Sequence, residues 1–357
     1  MSEVAASPAS DRVVLDVRHL TQRFKVGRRS LEAVSDVSFQ IRAGETLGLV
    51  GESGSGKSST GRALLQLPRP TAGSVELEGR ELTSLSGAEL KQLRRRMQLI
   101  FQDPVSSLNP RRRIRDIVGE GLVITGVRPD EIAERVSAML ELVGLDVSII
   151  GNRRPHEISG GQCQRVAIAR ALVMQPEVLI CDEPVASLDV SIQGQVLNIL
   201  DDMRTRFGLA MLFISHDLSV VHNISDRIAV MYLGQIVEIG PGTTLTRNPA
   251  HHYTRALLDS VPVADPDREV DDRLLEGEVP SPLDPPLGCR FRLRCERAEA
   301  RCADDQPELR DLGDGRQVAC HFPVEAAVRS VTLSRRLPNG DDPQLDPHRT
   351  DPQLRRD

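Results

Sequence analysis

"TLGLVGESGSGKSSTGRALLQL" occupies residues 46–67 and decides the fold. Its largely apolar start predicts a buried strand, its glycine-rich middle a loop, and the spacing that follows a helix. The loop fits the pattern G-x-x-x-x-G-K-[ST], in which Gly51, Gly54 and Gly56 let backbone N–H groups converge on an anion. A helix N-terminus directly after the loop adds a favourable dipole. The stretch therefore predicts a polyphosphate-binding loop between a strand and a helix.

Two side chains at the end of this loop carry specific chemistry. Lys57 is placed to reach the β- and γ-phosphates of a bound nucleotide, and the hydroxyl of Ser58 to reach Mg²⁺. The alternative is a glycine-rich turn that fits the pattern by chance. The strand before it and the helical spacing after it favour the functional interpretation.

A second apolar run, "VLICDEP" at residues 178–184, ends in two carboxylates. A buried strand that delivers acids at its C-terminal end is the arrangement used beside phosphate loops. Asp182 would hold Mg²⁺ directly or through water, and Glu183 would act as general base on the attacking water. The alternative is a solvated Asp-Glu pair at a strand end, which the preceding phosphate loop makes the weaker interpretation.

"ISGGQCQR" at residues 158–165 predicts a second anion site. Ser159 can cap a helix whose first turn contains Gly160 and Gly161. The missing side chains leave backbone amides bare at the helix N-terminus. Because the chain already has one phosphate loop, this site is best explained by a nucleotide that another subunit holds.

Composition and charge exclude several classes of function. The 357 residues are 39% hydrophobic and 27% charged, as in a soluble protein, and the net charge of -6 gives no broad basic surface for nucleic acid. No apolar run approaches the roughly 20 residues that span a bilayer. The first residues lack the pattern of a secretion signal, so we expect a cytosolic chain in which disulfides are improbable.

The pattern along the chain predicts an α/β fold. Strand-like segments fill residues 13–42, helical spacing dominates residues 104–157, and strands and helices alternate again through residue 215. Such alternation implies a parallel sheet covered by helices. Beyond residue 261 the sequence is rich in proline and acid, and after residue 324 it lacks apolar content.

Together these motifs resemble those of ATP-binding-cassette (ABC) ATPase subunits. "IFQDP" places Gln102 at the family's Q-loop, "SLD" places Asp189 at the D-loop, and "FISHD" places His216 at the switch histidine. Phe24 in "QRFKVG" lies where an aromatic usually stacks on adenine, although a phenylalanine packing inward on a strand is the alternative. The resemblance implies a P-loop NTPase (RecA-like) core with an antiparallel β subdomain and a helical insertion.

The resemblance also implies a complete set of site residues. Catalysis falls to Glu183 and His216, and Mg²⁺ to Ser58, Gln102 and Asp182. The residues expected to bind ATP are Phe24, Gly51, Glu52, Ser53, Gly54, Ser55, Gly56, Lys57, Ser58, Ser59 and Gln102. Those expected to contact the ATP of a partner subunit are Ser159, Gly160, Gly161, Gln162 and Asp189.

Finer features resemble the oligopeptide and dipeptide importer branch of the family. They include "FQDPVSSLNPR", "SLDVSIQGQVLNIL", "NPAHHYTRALLDSVP" and "GEVPSPLDPPLGCRFRLRC". We therefore expect an ATPase domain over residues 12–260 with a helical insertion at about 104–164. An oligopeptide-transporter-type C-terminal extension, small and irregular, would span residues 261–325, and a disordered tail residues 326–357.

The resemblance implies a peripheral ATPase on the cytoplasmic face of the cell membrane. Its partners would be a second ABC ATPase subunit, expected to be a different chain, two transmembrane permeases and, indirectly, an extracytoplasmic substrate-binding protein. The alternative is an ABC-type ATPase of DNA repair or translation. Such proteins usually carry coiled-coil or zinc insertions or two cassettes, so this chain is expected to act in transport and to bind no nucleic acid.

Four of the six cysteines lie at Cys289, Cys295, Cys302 and Cys320. Their spacing lacks the paired C-x2-C knuckles common in zinc sites, and iron–sulfur clusters tolerate varied spacing. Spacing alone therefore leaves metal ligation and four unrelated thiols equally open. The resemblance implies a [4Fe-4S] cluster, with Zn²⁺ as the alternative, because this branch carries such an extension. Five arginines between Cys289 and Cys302 would offset cluster charge or form a solvated face.

Overall fold

The computed structural model describes residues 11–186, 188–261 and 277–324. Within them the chain forms two sheets with helices packed on and beside them. The predicted tail at 326–357 and residues 262–276 of the proline- and acid-rich segment lie outside the described residues.

The larger sheet has eight strands, and five of them are parallel. Its order is β11-β12-β10-β9-β3-β8-β7-β6, and β9, β3, β8, β7 and β6 run the same way. The strands are β3 (Thr46–Val50), β6 (Met97–Ile100), β7 (Val178–Asp182), β8 (Ala210–Ser215), β9 (Arg227–Tyr232), β10 (Gln235–Pro241), β11 (Arg310–Asp311) and β12 (Gln317–Val318). The predicted α/β class with a parallel sheet is confirmed.

The smaller sheet is antiparallel, with the order β2-β1-β4-β5. Its strands are β1 (Val13–Val26), β2 (Arg29–Arg42), β4 (Ala72–Leu77) and β5 (Arg80–Glu81). Its buried face packs against one side of the larger sheet, since Leu15, Val37 and Leu212 belong to one hydrophobic cluster. This is the antiparallel β subdomain that the sequence predicts.

Twelve α-helices lie in the described ranges. They are α1 (Lys57–Leu64), α2 (Gly87–Leu93), α3 (Pro104–Ser107), α4 (Ile114–Ile124), α5 (Pro129–Leu142), α6 (Val147–Ile150), α7 (Gly160–Leu172), α8 (Val190–Phe207), α9 (Leu218–Ile224), α10 (Gly242–Arg247), α11 (His252–Asp259) and α12 (Arg301–Asp304). Short side chains satisfy several first turns; Asp103 and Asp217, for example, each accept two backbone N–H groups. Among helices in these ranges, none has the length and apolar character of a membrane span.

Both faces of the parallel sheet are buried, and each carries its own hydrophobic cluster. Leu179 of β7 and Phe213 of β8 belong to the cluster shared with α4, α5 and α7. Their neighbours Ile180 and Leu212 belong to the cluster shared with α1 and the antiparallel sheet. Successive strand residues point to opposite faces, so strands covered on both sides read as continuous apolar runs.

The register of the parallel strands brings their carboxyl ends to one edge. Val50 pairs with Ser215 across β3 and β8, and Asp182 pairs with Ile214 across β7 and β8. The phosphate loop, the acidic pair and the segment after β8 therefore leave the sheet together. Ligands of open α/β sheets bind at this edge.

The described part of the C-terminal extension is mostly irregular, as predicted. It contains a 3₁₀ turn at Arg292–Arg294, α12, and the two-residue strands β11 and β12. β12 pairs antiparallel with β10, with Glu238 opposite Val318. The extension thus adds strands to the main sheet.

Gly48 in β3 tests the tight packing of this sheet against α9. A Cβ at Gly48 would lie 2.2 Å from Val221 Cγ1 and 2.5 Å from Ser225 Oγ. Because both atoms belong to short side chains, we expect Gly48→Ala to lower the free energy of unfolding by about 1–3 kcal/mol. Urea denaturation of the nucleotide-free protein measures this change.

The matched control is Gly87→Ala at the start of α2, where an added Cβ meets nothing within 4 Å. We expect that variant to unfold at the wild-type urea concentration or slightly above it. Equal stability of the two variants would show that α9 does not pack on β3 as described.

Candidate active site

The phosphate loop joins β3 to α1 through glycines with close neighbours. Gly56, at the N-cap of α1, has φ of 106°, and a Cβ there would lie 2.1 Å from Ala33 O. A Cβ at Gly51 would lie 2.1 Å from Met231 O. Only glycine fits these two positions. The backbones of β2 and β9 therefore exclude any side chain at Gly56 and Gly51, where the phosphate-loop motif also has glycine.

Lys57 is buried beneath the loop and holds it together. Its Nζ donates to Gly51 O at 2.6 Å and to Glu52 O at 2.9 Å. Burial lowers the pKa of Lys57, while the carboxylates of Glu183, Asp182 and Glu52 oppose the shift. In the nucleotide-free chain the Lys57 ammonium thus has two backbone carbonyl groups as hydrogen-bond partners.

The Ser58 hydroxyl links the loop to the acidic strand. It donates to Asp182 Oδ1 at 2.6 Å, and Asp182 is 1% exposed. Asp182 Oδ2 has no hydrogen-bond partner among the described residues, and the Arg62 guanidinium lies 3.9 Å away. Burial raises the pKa of Asp182, and the Ser58 hydrogen bond opposes that shift. A half-buried hydroxyl beside a buried carboxylate oxygen with an open acceptor position is a donor set that fits Mg²⁺.

Glu183 lies between two predicted site residues. Gln102 Nε2 donates to Glu183 Oε2 at 2.9 Å, and His216 Nδ1 lies 3.3 Å from Glu183 Oε1. The three side chains follow β6, β7 and β8, which are neighbours in the sheet. Glu183 itself has φ of 48°, a left-handed backbone conformation unusual for its residue type. The edge thus gathers one carboxylate, one amide and one imidazole beside the phosphate loop.

The second anion motif forms the N-terminus of α7. Ser159 Oγ accepts from Gln162 N at 3.3 Å, and Gln162 Oε1 accepts from Ser159 N at 3.0 Å, which makes a capping box. Ser159 and Gly160 are exposed, and a Cβ at Gly160 would meet nothing within 4 Å. The first residues of this 13-residue helix are thus open to solvent.

The other predicted residues have distinct positions. Asp189 is exposed at the N-cap of α8. Phe24 is half-buried on β1 opposite Leu31 and belongs to neither hydrophobic cluster of the described residues. In the loop, Ser53 and Gly54 are exposed, Ser55 is buried and Ser59 is half-buried. Phe24 thus does not pack into either hydrophobic cluster, which was the alternative to a role in adenine stacking.

Two contacts to the phosphate loop were missed from the sequence. Tyr253 of α11 accepts a hydrogen bond from Glu52 N at 2.8 Å. Arg294 of the extension donates to both carboxylate oxygens of Glu52, at 2.7 and 3.0 Å. Tyr253 and Arg294 lie about 200 and 240 residues from Glu52 in sequence. Neither belongs to a recognised motif. The only signals in the sequence were the tyrosine itself and the arginine-rich run that contains Arg294.

The four C-terminal cysteines line one cavity. Cys289, Cys295, Cys302 and Cys320 all face it, and Cys289 N donates to Cys302 O at 2.8 Å. Burial raises the pKa of Cys295 and of Cys320 to about 11 each. In the part of the chain that the structure describes, no three candidate ligand side chains stand at metal-binding spacing. The four thiols thus share one cavity without forming such a group.

The two remaining cysteines, Cys163 and Cys181, are packing residues. Cys163 of α7 is 1% exposed and Cys181 of β7 is fully buried, both within the same hydrophobic cluster. Burial raises the pKa of both thiols. Neither lies with the other four at the extension's cavity.

Comparisons with known proteins place this site in a family. Residues 34–186 match the family described as "ABC transporter", and residues 237–302 match "Oligopeptide/dipeptide transporter, C-terminal region". The chain is 50% identical over 315 residues to the putative oligopeptide transport ATP-binding protein YkfD of Bacillus subtilis, covering 87% of this chain and 95% of that protein. It is 46% identical to the oligopeptide transport ATP-binding protein OppF of Haemophilus influenzae, covering 86% and 96%.

A solved structure shares the fold. The dimeric post-hydrolysis structure of the ATP-binding cassette MJ0796 bound to ADP and Pi has a TM-score of 0.59 at 27% identity, covering 64% of this chain and 98% of that one. The chain belongs to the ATP-binding subunits of ABC transporters and is an ATPase. Within that family it carries the C-terminal region of the oligopeptide/dipeptide branch, so the expected family and fold are confirmed.

Asp182 gives a test of the buried carboxylate. A folded-state pKa above the unfolded value means that ionised Asp182 costs stability without metal, and protonation at low pH removes that cost. We expect Asp182→Asn to raise the stability of the nucleotide- and metal-free protein by about 1 kcal/mol at pH 8. The gain should vanish as pH falls through the raised pKa, in melts followed from pH 8 down to about pH 4.

Asp202→Asn is the control, because Asp202 is exposed on α8. It should leave the melting temperature unchanged at every pH. A destabilised Asp182→Asn protein at pH 8 would contradict the account of a carboxylate that awaits a cation.

Proposed function

We propose that this chain is the ATP-hydrolysing subunit of an importer that takes up di- and oligopeptides through membrane permeases. The observation that carries it is the position of Glu183 between Gln102 and His216, beside a phosphate loop that is hydrogen-bonded to Asp182. The peptide substrate class is supported by the names of the relatives and by the matched C-terminal region. A role in DNA repair or translation is not favoured.

In the proposed mechanism Lys57 exchanges its carbonyl partners for the β- and γ-phosphates. Ser58, Asp182 and Gln102 are the residues that would hold Mg²⁺, which supplies charge neutralisation on the phosphates when bound. Glu183 accepts the proton of the attacking water, and His216 orients the γ-phosphate. Phe24 stacks on adenine, which its half-exposed position outside the core permits. Glu52, Ser53, Ser55 and Ser59 belong to the same ATP site.

A second cassette completes each site. The residues that would contact the ATP held by a partner chain are Ser159, Gly160, Gly161, Gln162 and Asp189. The start of α7 supports this, because Ser159 and Gly160 are exposed at a helix N-terminus in the single chain. Closure is then a ligand-driven population shift, because ATP contacts are complete only between two chains. Hydrolysis removes the bridging phosphate and reopens the pair.

We infer that the partner cassette is a different chain and that two permeases bind it at the cytoplasmic face of the membrane. An extracytoplasmic binding protein would deliver the peptide to them. Gln102 and the helical insertion at 104–164 would carry the motion to the permeases. The division at 12–260, 261–325 and 326–357 belongs to the same proposal.

Glu183→Gln tests the catalytic assignment. Removing the base while keeping the hydrogen-bonding shape should lower ATP turnover at least about 100-fold. The variant should still bind ATP and should accumulate as an ATP-dependent dimer in gel filtration. Phosphate release by the full-length protein, with its partner subunits where these are required, measures the rate.

Glu141→Gln removes an exposed carboxylate of α5 and should keep wild-type turnover. Lys57→Ala should lose ATP binding, which separates binding from chemistry. Near-normal turnover in Glu183→Gln would remove Glu183 as the base.

We further propose that the four thiols hold a [4Fe-4S] cluster, with Zn²⁺ as the alternative. The proposal is supported by the convergence of Cys289, Cys295, Cys302 and Cys320 on one cavity. The raised pKa values of Cys289, Cys295 and Cys320 describe thiols without metal, and metal binding would replace the thiol protons. The bound group would tie three parts of the extension together.

Metal analysis after anaerobic purification tests the cluster. We expect about four irons per chain and an absorbance band at about 400 nm. Both should be lost in Cys302→Ser and kept in Cys163→Ser. One zinc per chain without iron would leave only the zinc alternative. Protein with neither metal would refute both.

A further inference from the structure

The segment 289–295, here called the strap, begins and ends at a thiol and runs against the phosphate loop. Between Cys289 and Cys295 it carries Arg290, Phe291 and Arg294, and all three side chains point into the cassette. The strap lies more than 230 residues after the loop in sequence. It nevertheless supplies some of the loop's closest neighbours.

Arg294 forms a bidentate ion pair with Glu52, the second residue of the loop. Both guanidinium Nη atoms donate to the carboxylate, at 2.7 and 3.0 Å, and the Arg294 side chain is only 4% exposed. The guanidinium also lies 5.9 Å from the centroid of the Tyr232 ring. Hydrogen bonding to Glu52 raises the pKa of Arg294 further above its usual range. A buried bidentate pair of this kind fixes the orientation of the Glu52 carboxylate.

An aromatic wedge holds the backbone beside this pair. Phe291 is 3% exposed and packs edge-on against Tyr232, with centroids 5.3 Å apart, and against Tyr253 at 5.4 Å. The Tyr253 hydroxyl in turn accepts from Glu52 N at 2.8 Å. Glu52 is thus held at its backbone by Tyr253, which packs on the strap, and at its side chain by Arg294 of the strap.

Arg290 forms a second link between the strap and the loop. It donates to Leu233 O, and to Ser35 Oγ at 2.9 Å. The next residue, Gly234, donates its N–H to Ser55 O at 2.7 Å. The strap therefore reaches both ends of the loop segment 52–55.

The charge at Glu52 gives these contacts a consequence for nucleotide binding. A carboxylate within a triphosphate-binding loop repels the ligand unless a fixed cation neutralises it. Lys57 cannot serve both purposes, because its ammonium already bonds to Gly51 O and Glu52 O and is needed by the phosphates. Arg294 supplies the missing positive charge from outside the cassette motifs.

We propose that Arg294 is a positioning residue that sets the affinity for ATP, by neutralising Glu52 and fixing the first half of the phosphate loop. The C-terminal extension then acts on nucleotide binding in its own chain. The inference rests on the proposed ATP site at residues 51–59. It predicts an effect on binding and not on the hydrolytic step, since Arg294 contacts Glu52, whereas Gln102 and His216 contact Glu183.

A charge-removal series tests the proposal in the full-length protein. Arg294→Gln leaves the carboxylate unneutralised and should weaken Mg-ATP binding about tenfold in calorimetric titration. Glu52→Gln in that background removes the repelling charge and should recover most of the lost affinity. In steady-state assays Arg294→Gln should raise KM with kcat nearly unchanged.

Arg301→Gln is the matched control, because it removes an arginine of the same extension whose exposed partner is Asp305. It should bind ATP within about twofold of wild type. Thermal melts of the nucleotide-free proteins separate a folding defect from a binding defect. If the double variant binds as weakly as Arg294→Gln alone, or Arg294→Gln binds like wild type, the proposal fails. A wild-type protein that binds no ATP would instead refute the proposed function.

Discussion

The hydrogen bond from Ser58 to Asp182 joins the phosphate loop to the acidic strand β7, and the arrangement of the sheet makes this contact possible. It requires β3 and β7 to end at one edge of a parallel sheet, on either side of β8. It also requires α1 to begin directly above that edge, which the glycines of the loop allow. Gln102, Glu183 and His216 then gather from the ends of β6, β7 and β8 with no further device. The cost is a buried carboxylate whose second oxygen is satisfied only by what binds there.

Much of this could be predicted because each motif is short and its geometry is local. A strand, a glycine loop and a helix start define where Lys57 and Ser58 point, and an apolar run ending in Asp182 and Glu183 defines a buried strand with acids at its end. Parallel topology does the rest, since carboxyl ends of neighbouring strands must meet. The α/β class and the family were therefore within reach of the sequence.

The contacts that could not be predicted are those made between distant segments. Nothing near Arg294 distinguishes it from Arg292 or Arg301 in the same run, and only the folded chain brings it to Glu52. Tyr253 is equally silent in sequence. The spacing of the four cysteines could not decide between metal ligands and unrelated thiols for the same reason. Whether the thiols share one cavity depends on how α12 and the strap pack together in the folded chain.

The short strands β11 and β12 have one more consequence. A sheet that ended at β10 would present unpaired backbone groups of a largely buried strand, a template for pairing with another chain. β12 covers part of that border by pairing with Glu238 and Ile239, and β11 lies outside it with both residues exposed. The extension thereby closes the sheet with a short, charged border that discourages edge-to-edge aggregation. A cassette cut before residue 310 would have to keep itself soluble by some other means.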